Sequence, residues 1–375
     1  MDVDADVIVI ALKTRTQQTS EAVRVSLEAI KWLERAGAEQ FYVKYCSTFD
    51  STPEGNIGPI CDSILEYLDE PYTILCPSLP VNGRKVRDGK LYVNGVPLSE
   101  SPMKDHPLTP MWSSDIKELM ESQSQYKSFP IPIHDTQKID QVIDNNKNLE
   151  HYYLIPDYDN DEDGKAIIER FGHLKLITGG SGLAEWIAKT NPSEQISLDL
   201  DVHSTKLIML AGSCSEMTRK QIQSYANSAK NSTYFLDVDK IVSGEENART
   251  IWEKISHFPS APLVYSSDTP DGVRRNQLKS QEFVAQIIEQ TFAELAAIAV
   301  ESGYSNIVVA GGETSGAVAK KLGFNGYHIG ENIAPGVPIL IPVNNTNVRV
   351  VLKSGNFGDE DFFNKVSTVL QGTTY

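Results

Sequence analysis

Short apolar runs alternate with stretches of helical periodicity along nearly the whole chain, the pattern of an α/β protein with helices laid on mainly parallel sheets. The first run, "VIVIAL" (7–12), reads as a strand. It precedes a helix near Ser20 to Ala36, with Val23, Leu27, Ile30 and Leu33 on one face and Gly37 as its stop. Strand "FYVKY" follows, then a helical stretch through Ile57, Ile64, Leu65 and Leu68, and then strand "YTILCP". "LYVNGVPL" breaks the rhythm, because Asn94-Gly95 between apolar residues predicts a hairpin. "HYYLIPD" and "LKLITGG" read as further strands, the second leading into a helix over Leu183 to Lys189.

From Asn191 to Thr205, "NPSEQISLDLDVHST", the periodicity fails and polar residues dominate. This stretch reads as an interdomain linker, with "ISLDLDV" alternatively a short edge strand. The alternation then restarts in "KLIMLAGSCS", "TYFLDV" and "PLVYSS", followed by a long helix from Gln281 to Glu301, "NIVVAGGETS" and "VRVVL". Phe283, Ile287, Ile288, Phe292 and Leu295 give the long helix a wide apolar face for the core. The expectation is an α/β chain of two domains, 1–190 and 206–375, each a mainly parallel sheet flanked by helices and joined by 191–205.

Composition narrows the function. At 375 residues, 40% hydrophobic and 22% charged, the chain suits two globular cores. A net charge of -16 without a basic stripe argues against nucleic acid and weakly against anionic membranes, while leaving small anionic ligands open. Cys46, Cys61, Cys76 and Cys214 form no metal-ligand spacing and read as reduced thiols. The acidic start lacks the basic region of a signal peptide, and "VIVIAL" is too short for a membrane segment, so a cytoplasmic location is expected. The acidic run Asp157 to Asp163 reads as a solvated loop.

Three segments of the second half share one design. "AGSCS" (211–215), "AGGETS" (310–315) and "KSGNFG" (353–358) each follow a strand, and in a parallel sheet such loops gather along one edge. Glycine admits a phosphate close to the backbone, and a following helix offers unpaired N–H groups. In "GGETSGAVAKKLG", Gly311 and Gly312 make the turn, Thr314 or Ser315 can cap, Val318 and Leu322 face the core, and Gly323 ends the helix. Glu313 can contact ribose, assist a metal or cap its own helix. Lys353 can offset phosphate charge or lie along its strand. None of the loops is G-x-x-x-x-G-K-[ST] or G-x-G-x-x-G with its acidic partner, which disfavours a P-loop NTPase and a dinucleotide-binding dehydrogenase.

The first half carries "KYCSTFDSTPEGNIGP" (44–59) after a strand. Ser51 or Thr52 as a cap with Pro53 in the first turn reads as a helix start. That leaves Lys44, Asp50 and Asn56 without a role. At a ligand site Lys44 and Arg15 can balance a carboxylate, while Asp50 and Asn56 can bind hydroxyls. "PVNGR" (80–84) adds a second Asn-Gly turn and a cation, Asn82 and Arg84, and "HPLTPM" (106–111) is a candidate to line the same mouth, although a lone His106 is more often a capping residue.

In this order, "KYCSTFDSTPEGNIGP", "CPSLPVNGR", "HPLTPM", "AGGETSGAVAKKLG" and "LKSGNFGDEDFF" closely resemble the four-carbon acid sugar kinases, and most nearly the branch that acts on 3-oxo-tetronates. The resemblance spans essentially the whole chain. It implies an N-terminal sugar-acid domain, a C-terminal nucleotide domain and a ligand cleft between them. It also implies ATP with Mg²⁺, and phosphorylation of a terminal hydroxyl, as of 3-dehydro-erythronate to its 4-phosphate. Ser213, Gly311, Gly312, Glu313, Thr314 and Gly355 would then contact ATP; Arg15, Lys44, Ser51, Asn56, Asn82 and Arg84 would serve the sugar acid. Members usually begin with a further strand and an Ala-Asp-Asp-x-Thr-Gly-Ala loop. This chain opens at "DADVIVIALKTRT" without them, so a shortened form with one sheet strand lacking its partner is expected. Asp50 is then the best remaining group to engage the attacking hydroxyl. A non-catalytic relative that binds nucleotide or sugar acid is the alternative, and a homo-oligomer is left open.

Overall fold

The computed structural model describes residues 5–105, 109–191, 206–212, 215–228, 232–266 and 281–372. The chain divides into two compact units, Met1–Gln195 and Ile196–Tyr375. Most of the expected linker, 192–205, lies outside the described residues, as do His106, Ser213 and Cys214.

The first unit runs α1 (Thr19–Arg35), β1 (Phe41–Lys44), α2 (Ile57–Leu68), β2 (Tyr72–Cys76), β3 (Arg84–Arg87), β4 (Lys90–Val93), β5 (Val96–Pro97), α3 (Ile116–Glu121), β6 (Lys127–Ile131), α4 (Thr136–Asn146), β7 (Tyr152–Pro156), α5 (Asp161–Phe171), β8 (Leu176–Gly179) and α6 (Ser181–Thr190). Its main sheet has the order β1-β8-β2-β7-β6, parallel throughout. Side chains alternate across it. Leu75, Tyr153, Ile155 and Leu176 pack with α1, α2 and α3 on one face. Ile74, Cys76, Tyr152, Leu154 and Ile177 pack with α4, α5 and α6 on the other. β3, β4 and β5 form a separate antiparallel sheet, and Asn94 (φ 51°) and Gly95 (φ 83°) make the left-handed two-residue turn that the Asn-Gly pair predicts.

"VIVIAL" is not a strand. Among the described residues nothing pairs with it, and Val7 and Val9 are 77% and 74% exposed. A short apolar run predicts extended backbone, but a strand also needs a neighbour's hydrogen bonds. The helix expected from Ser51 begins instead at Ile57, with Asn56 in the cap position and no side-chain cap.

The second unit runs β9 (Leu207–Ala211), α7 (Glu216–Ser228), β10 (Thr233–Phe235), α8 (Val238–Val242), α9 (Ala248–Ile255), β11 (Leu263–Tyr265), α10 (Gln281–Glu301), β12 (Asn306–Ala310), α11 (Gly312–Leu322), β13 (Tyr327–Ala334), β14 (Val337–Pro342), β15 (Arg349–Lys353) and α12 (Phe362–Gln371). Its sheet has the order β10-β11-β9-β12-β15-β14-β13, parallel as far as β15 and antiparallel beyond. Ile208, Leu210, Ile307, Val309 and Val350 face the helices α8 to α11, and Phe292 and Leu295 carry the apolar face of α10 into that core. Met209, Val308, Ala310 and Val351 face α7 and α12. The β13–β14 hairpin, turning at Pro335-Gly336, carries a Pro-Gly turn signal that the sequence reading passed over.

Candidate active site

β9, β12 and β15 are parallel neighbours, and Ala211, Ala310 and Lys353 stand side by side at their ends. The three glycine loops therefore leave from one sheet edge, and they interlock. Gly212 N–H donates to the Ala310 carbonyl at 3.0 Å and Gly311 N–H to the Lys353 carbonyl at 2.8 Å. On the Gly355 carbonyl converge the Ser215 hydroxyl (2.7 Å), the Thr218 hydroxyl (2.8 Å) and the Lys353 ammonium (2.9 Å). Lys353 also donates to the Ser354 carbonyl at 3.1 Å and the Thr218 hydroxyl at 3.2 Å.

This arrangement sets the polarity of the third loop. Across a trans peptide the C=O and the following N–H point in opposite directions. Drawing the Ser354 and Gly355 carbonyls inward onto Lys353 turns the N–H groups of Gly355 and Asn356 the other way, as a donor nest for an anion. Gly311, at φ 127°, reverses the chain into α11. The first turn of α11 presents the N–H groups of Gly312, Glu313 and Thr314 without intrahelical acceptors, and Gly312 and Glu313 are exposed. Neither Thr314 nor Ser315 caps the helix: both are buried inside it, and Gly311 holds the cap position with no side-chain bond. Thr314 packs against the first loop instead. A Cβ on Gly212 would lie 2.1 Å from the Thr314 hydroxyl oxygen.

That contact yields a prediction. Gly212→Val pushes α11 away from β9, costing about 1–3 kcal/mol of stability by overpacking. On the expectation that these loops hold ATP, its affinity falls at least tenfold; titration calorimetry and thermal melts measure the two effects.

Lys353 is 1% exposed, and burial lowers its pKa to about 8. It does not extend along its strand toward solvent: its ammonium sits beneath the loops, with three N–H groups on three protein acceptors. From there it can reach an anion only through its field and through the loop shape it holds.

In the first unit, "KYCSTFDSTPEGNIGP" leaves the C-terminal end of β1. Asp50 is 6% exposed; one carboxylate oxygen accepts from Arg15 at 3.2 Å and the other from the Thr48 hydroxyl at 2.5 Å, while the Asp50 N–H meets Cys46 Sγ at 3.0 Å. The Arg15 side chain is 55% exposed, so it keeps donors for a second anion. Asn56 is buried and fully used: its amide donates to the Thr14 and Gln17 carbonyls at 2.7 and 2.8 Å and accepts from the Thr19 hydroxyl at 2.9 Å. It fastens both flanks of Arg15. Ser51 donates to Gln123 Oε1 at 3.0 Å, which also accepts the Gly58 N–H at 2.9 Å. Lys44 is exposed at the strand end.

Asn82 ends a 3-10 turn and is exposed; Arg84, half-buried, donates to its carbonyl. The acidic run is spent locally. Asp159 pairs with Lys85 at 2.8 Å and Arg87 at 2.6 Å, Asp163 meets His134 at 2.6 Å, and Asn160 and Asp163 form a capping box on α5. Sequence reading missed Thr48, Gln123, Thr218 and Gln221. The Ser215-x-x-Thr218 spacing at a helix start was the one available signal, and there the Thr218 N–H donates to the Ser215 hydroxyl.

A sugar-binding N-terminal domain family matches residues 1–187 and a nucleotide-binding C-terminal domain family matches residues 208–363. The chain is 40% identical over 367 residues to the 3-oxo-tetronate kinase of Haemophilus influenzae, covering 96% of this chain and 88% of that one. It is 41% identical over 377 residues to the 3-oxo-tetronate kinase of Brucella melitensis, covering 96% and 85%. Among crystal structures, a Haemophilus influenzae protein superposes with a TM-score of 0.84 at 37% identity, covering 99% of this chain and 91% of its own. A Salmonella typhimurium LT2 protein reaches 0.85 at 37% identity, covering 95% and 87%. A sugar-binding half joined to a nucleotide-binding half defines an enzyme of the kinase class, a transferase, and the alternative of a non-catalytic relative is not favoured. The chain belongs to the four-carbon acid sugar kinase family.

Proposed function

We propose that the protein transfers the γ-phosphoryl group of ATP to the terminal hydroxyl of a four-carbon sugar acid of the 3-oxo-tetronate class, such as 3-dehydro-erythronate, giving the 4-phosphate. The observation that carries this reading is the interlock of the three glycine loops, which ties the start of α11 and the third loop together at one sheet edge. The substrate class comes from the names of the relatives that match both halves. Phosphoryl transfer asks little covalent work of a protein and much positioning and charge stabilisation.

The N–H groups of Gly312, Glu313, Thr314, Gly355 and Asn356 cradle the phosphates, with Ser213 on the neighbouring loop, and Lys353 adds positive charge behind them. Arg15 and Lys44 balance the sugar carboxylate. Asp50, fixed by Thr48 and Arg15, accepts the hydrogen bond of the attacking hydroxyl. Ser51 and Asn56 shape the loop around it, and Asn82 and Arg84 supply a further turn and cation. Among the described residues no group of three or more His, Cys, Asp or Glu could hold a metal ion. Mg²⁺ would come with the nucleotide as its counterion and supply charge stabilisation to the phosphates, and Glu313 would be the carboxylate within the loop to hold it.

A coupled assay of ADP release over a panel of four-carbon sugar acids tests the proposal. Release that depends on a 3-oxo-tetronate supports it; ATP binding with no sugar-dependent release from any member of the panel rejects it.

A further inference from the structure

The glycine loops supply backbone donors suited to phosphates, and a nucleotide also needs a seat for its base and ribose. β13 and β15 are each antiparallel to β14, so they run parallel to one another. The end of β13 and its turn therefore reach the same sheet edge as the glycine loops. There they border a cleft of about 410 Å³ within the second unit. Ile333, Ala334 and Pro335 form one wall and Phe362 another, while Gly358, Asp359 and Lys365 complete it.

We infer that this cleft seats the nucleoside end of the nucleotide, base and ribose, whose phosphates lie on the glycine loops; the inference rests on the phosphotransfer reading above. Three observations carry it. The third glycine loop serves both places: Gly355 belongs to the phosphate nest, and Gly358, three residues on, lines the cleft. That stretch spans at most about 10 Å of chain, within the reach of one nucleotide. The cleft has the size of a small-ligand site, and its lining joins the apolar Ile333, Ala334, Pro335 and Phe362 to two charged groups, Asp359 and Lys365. Asp359, ion-paired with Lys365, is a carboxylate acceptor suited to a ribose hydroxyl or an exocyclic amine.

The wall is also pre-formed. Gln221, fully buried, donates from its amide to the Phe357 carbonyl at 3.0 Å and the Asp359 carbonyl at 2.8 Å, fixing the loop between nest and cleft. The Phe357 ring, 42% exposed, lies so close to the β13–β14 turn that a Cβ on Gly336 would come within 2.8 Å of it. This places an aromatic surface by the turn, available to stack on a base.

Binding of ATP and of inorganic tripolyphosphate, measured by calorimetry on the full chain and on Ala334→Trp, tests the inference. The tryptophan fills the cleft, so ATP affinity is expected to fall at least tenfold while tripolyphosphate affinity stays within twofold. Asp359→Asn, at an exposed position, is expected to weaken ATP three- to tenfold with the same spared tripolyphosphate, and it carries the test if the tryptophan variant does not fold. Equal losses for both ligands, or no loss for ATP, overturn the nucleoside seat. Failure of the unaltered protein to bind either ligand overturns the phosphotransfer reading instead, so the two failures are told apart.

Discussion

Lys353→Met lowers kcat/KM for ATP about 100-fold while leaving the melting temperature at pH 7 within a few degrees. The reasons for the two halves of this result differ. Methionine keeps the length of the side chain but removes the ammonium that holds the Ser354 and Gly355 carbonyls, so the nest loses its shape and the phosphates lose a nearby positive charge. Removing one oxyanion-stabilising group commonly costs 10²–10³ in rate, roughly 3–4 kcal/mol. Stability behaves otherwise, because a buried charge is expensive and its apolar replacement relieves that cost. Burial lowers the folded pKa to about 8 from the ordinary lysine value of 10.5. Between these values the unfolded chain binds more protons than the folded one, so this group's contribution to stability rises with pH there. The penalty is full below pH 8 and fades as pH climbs toward 10.5. Wild type should therefore gain on Lys353→Met across that window in paired thermal melts. In activity the direction reverses: kcat/KM of the wild type falls as pH rises through about 8, whereas Lys353→Arg keeps its charge and lacks that limb. A Lys353→Met enzyme with wild-type kcat/KM would remove Lys353 from the site.

The folding logic behind this site was legible to different depths in different places. Short apolar runs and an Asn-Gly turn identify most of the parallel strands and the hairpin at Asn94-Gly95, because local backbone preference and burial agree there. "VIVIAL" shows the limit of that reasoning. Its apolar run satisfies the local rule, but among the described residues no strand supplies its ladder. The glycine loops announced themselves by composition. Their interlock did not, since Ser215 and Gly355 are 140 residues apart in the chain and meet at 2.7 Å. Asn56 is the opposite case. Its residue type suggested a hydroxyl binder, and the fold spends all of its side-chain hydrogen bonds on Thr14, Gln17 and Thr19. Sequence gives the donors and acceptors; only tertiary structure says which are already taken.

Asp50→Asn lowers kcat by about 10²–10³, with KM for ATP unchanged within twofold. The amide preserves the volume of the carboxylate, and its oxygen still accepts from the Thr48 hydroxyl, so the loop keeps its form. What disappears is the negative charge that meets Arg15 and draws on the attacking hydroxyl. Groups that take or orient a proton in this way contribute about 10²–10⁴ in rate. ATP is assigned to the second unit and Asp50 belongs to the first, so nucleotide binding is expected to change little. A merely structural Asp50 predicts a different split: a lower melting temperature and losses in both parameters. Asn56→Ala separates positioning from chemistry. It frees the Thr14 and Gln17 carbonyls on either side of Arg15, so KM for the sugar acid should rise several-fold with kcat largely kept. Steady-state kinetics with each substrate varied in turn decide the matter, and an Asp50→Asn enzyme with kcat within threefold of wild type would assign the hydroxyl to another group.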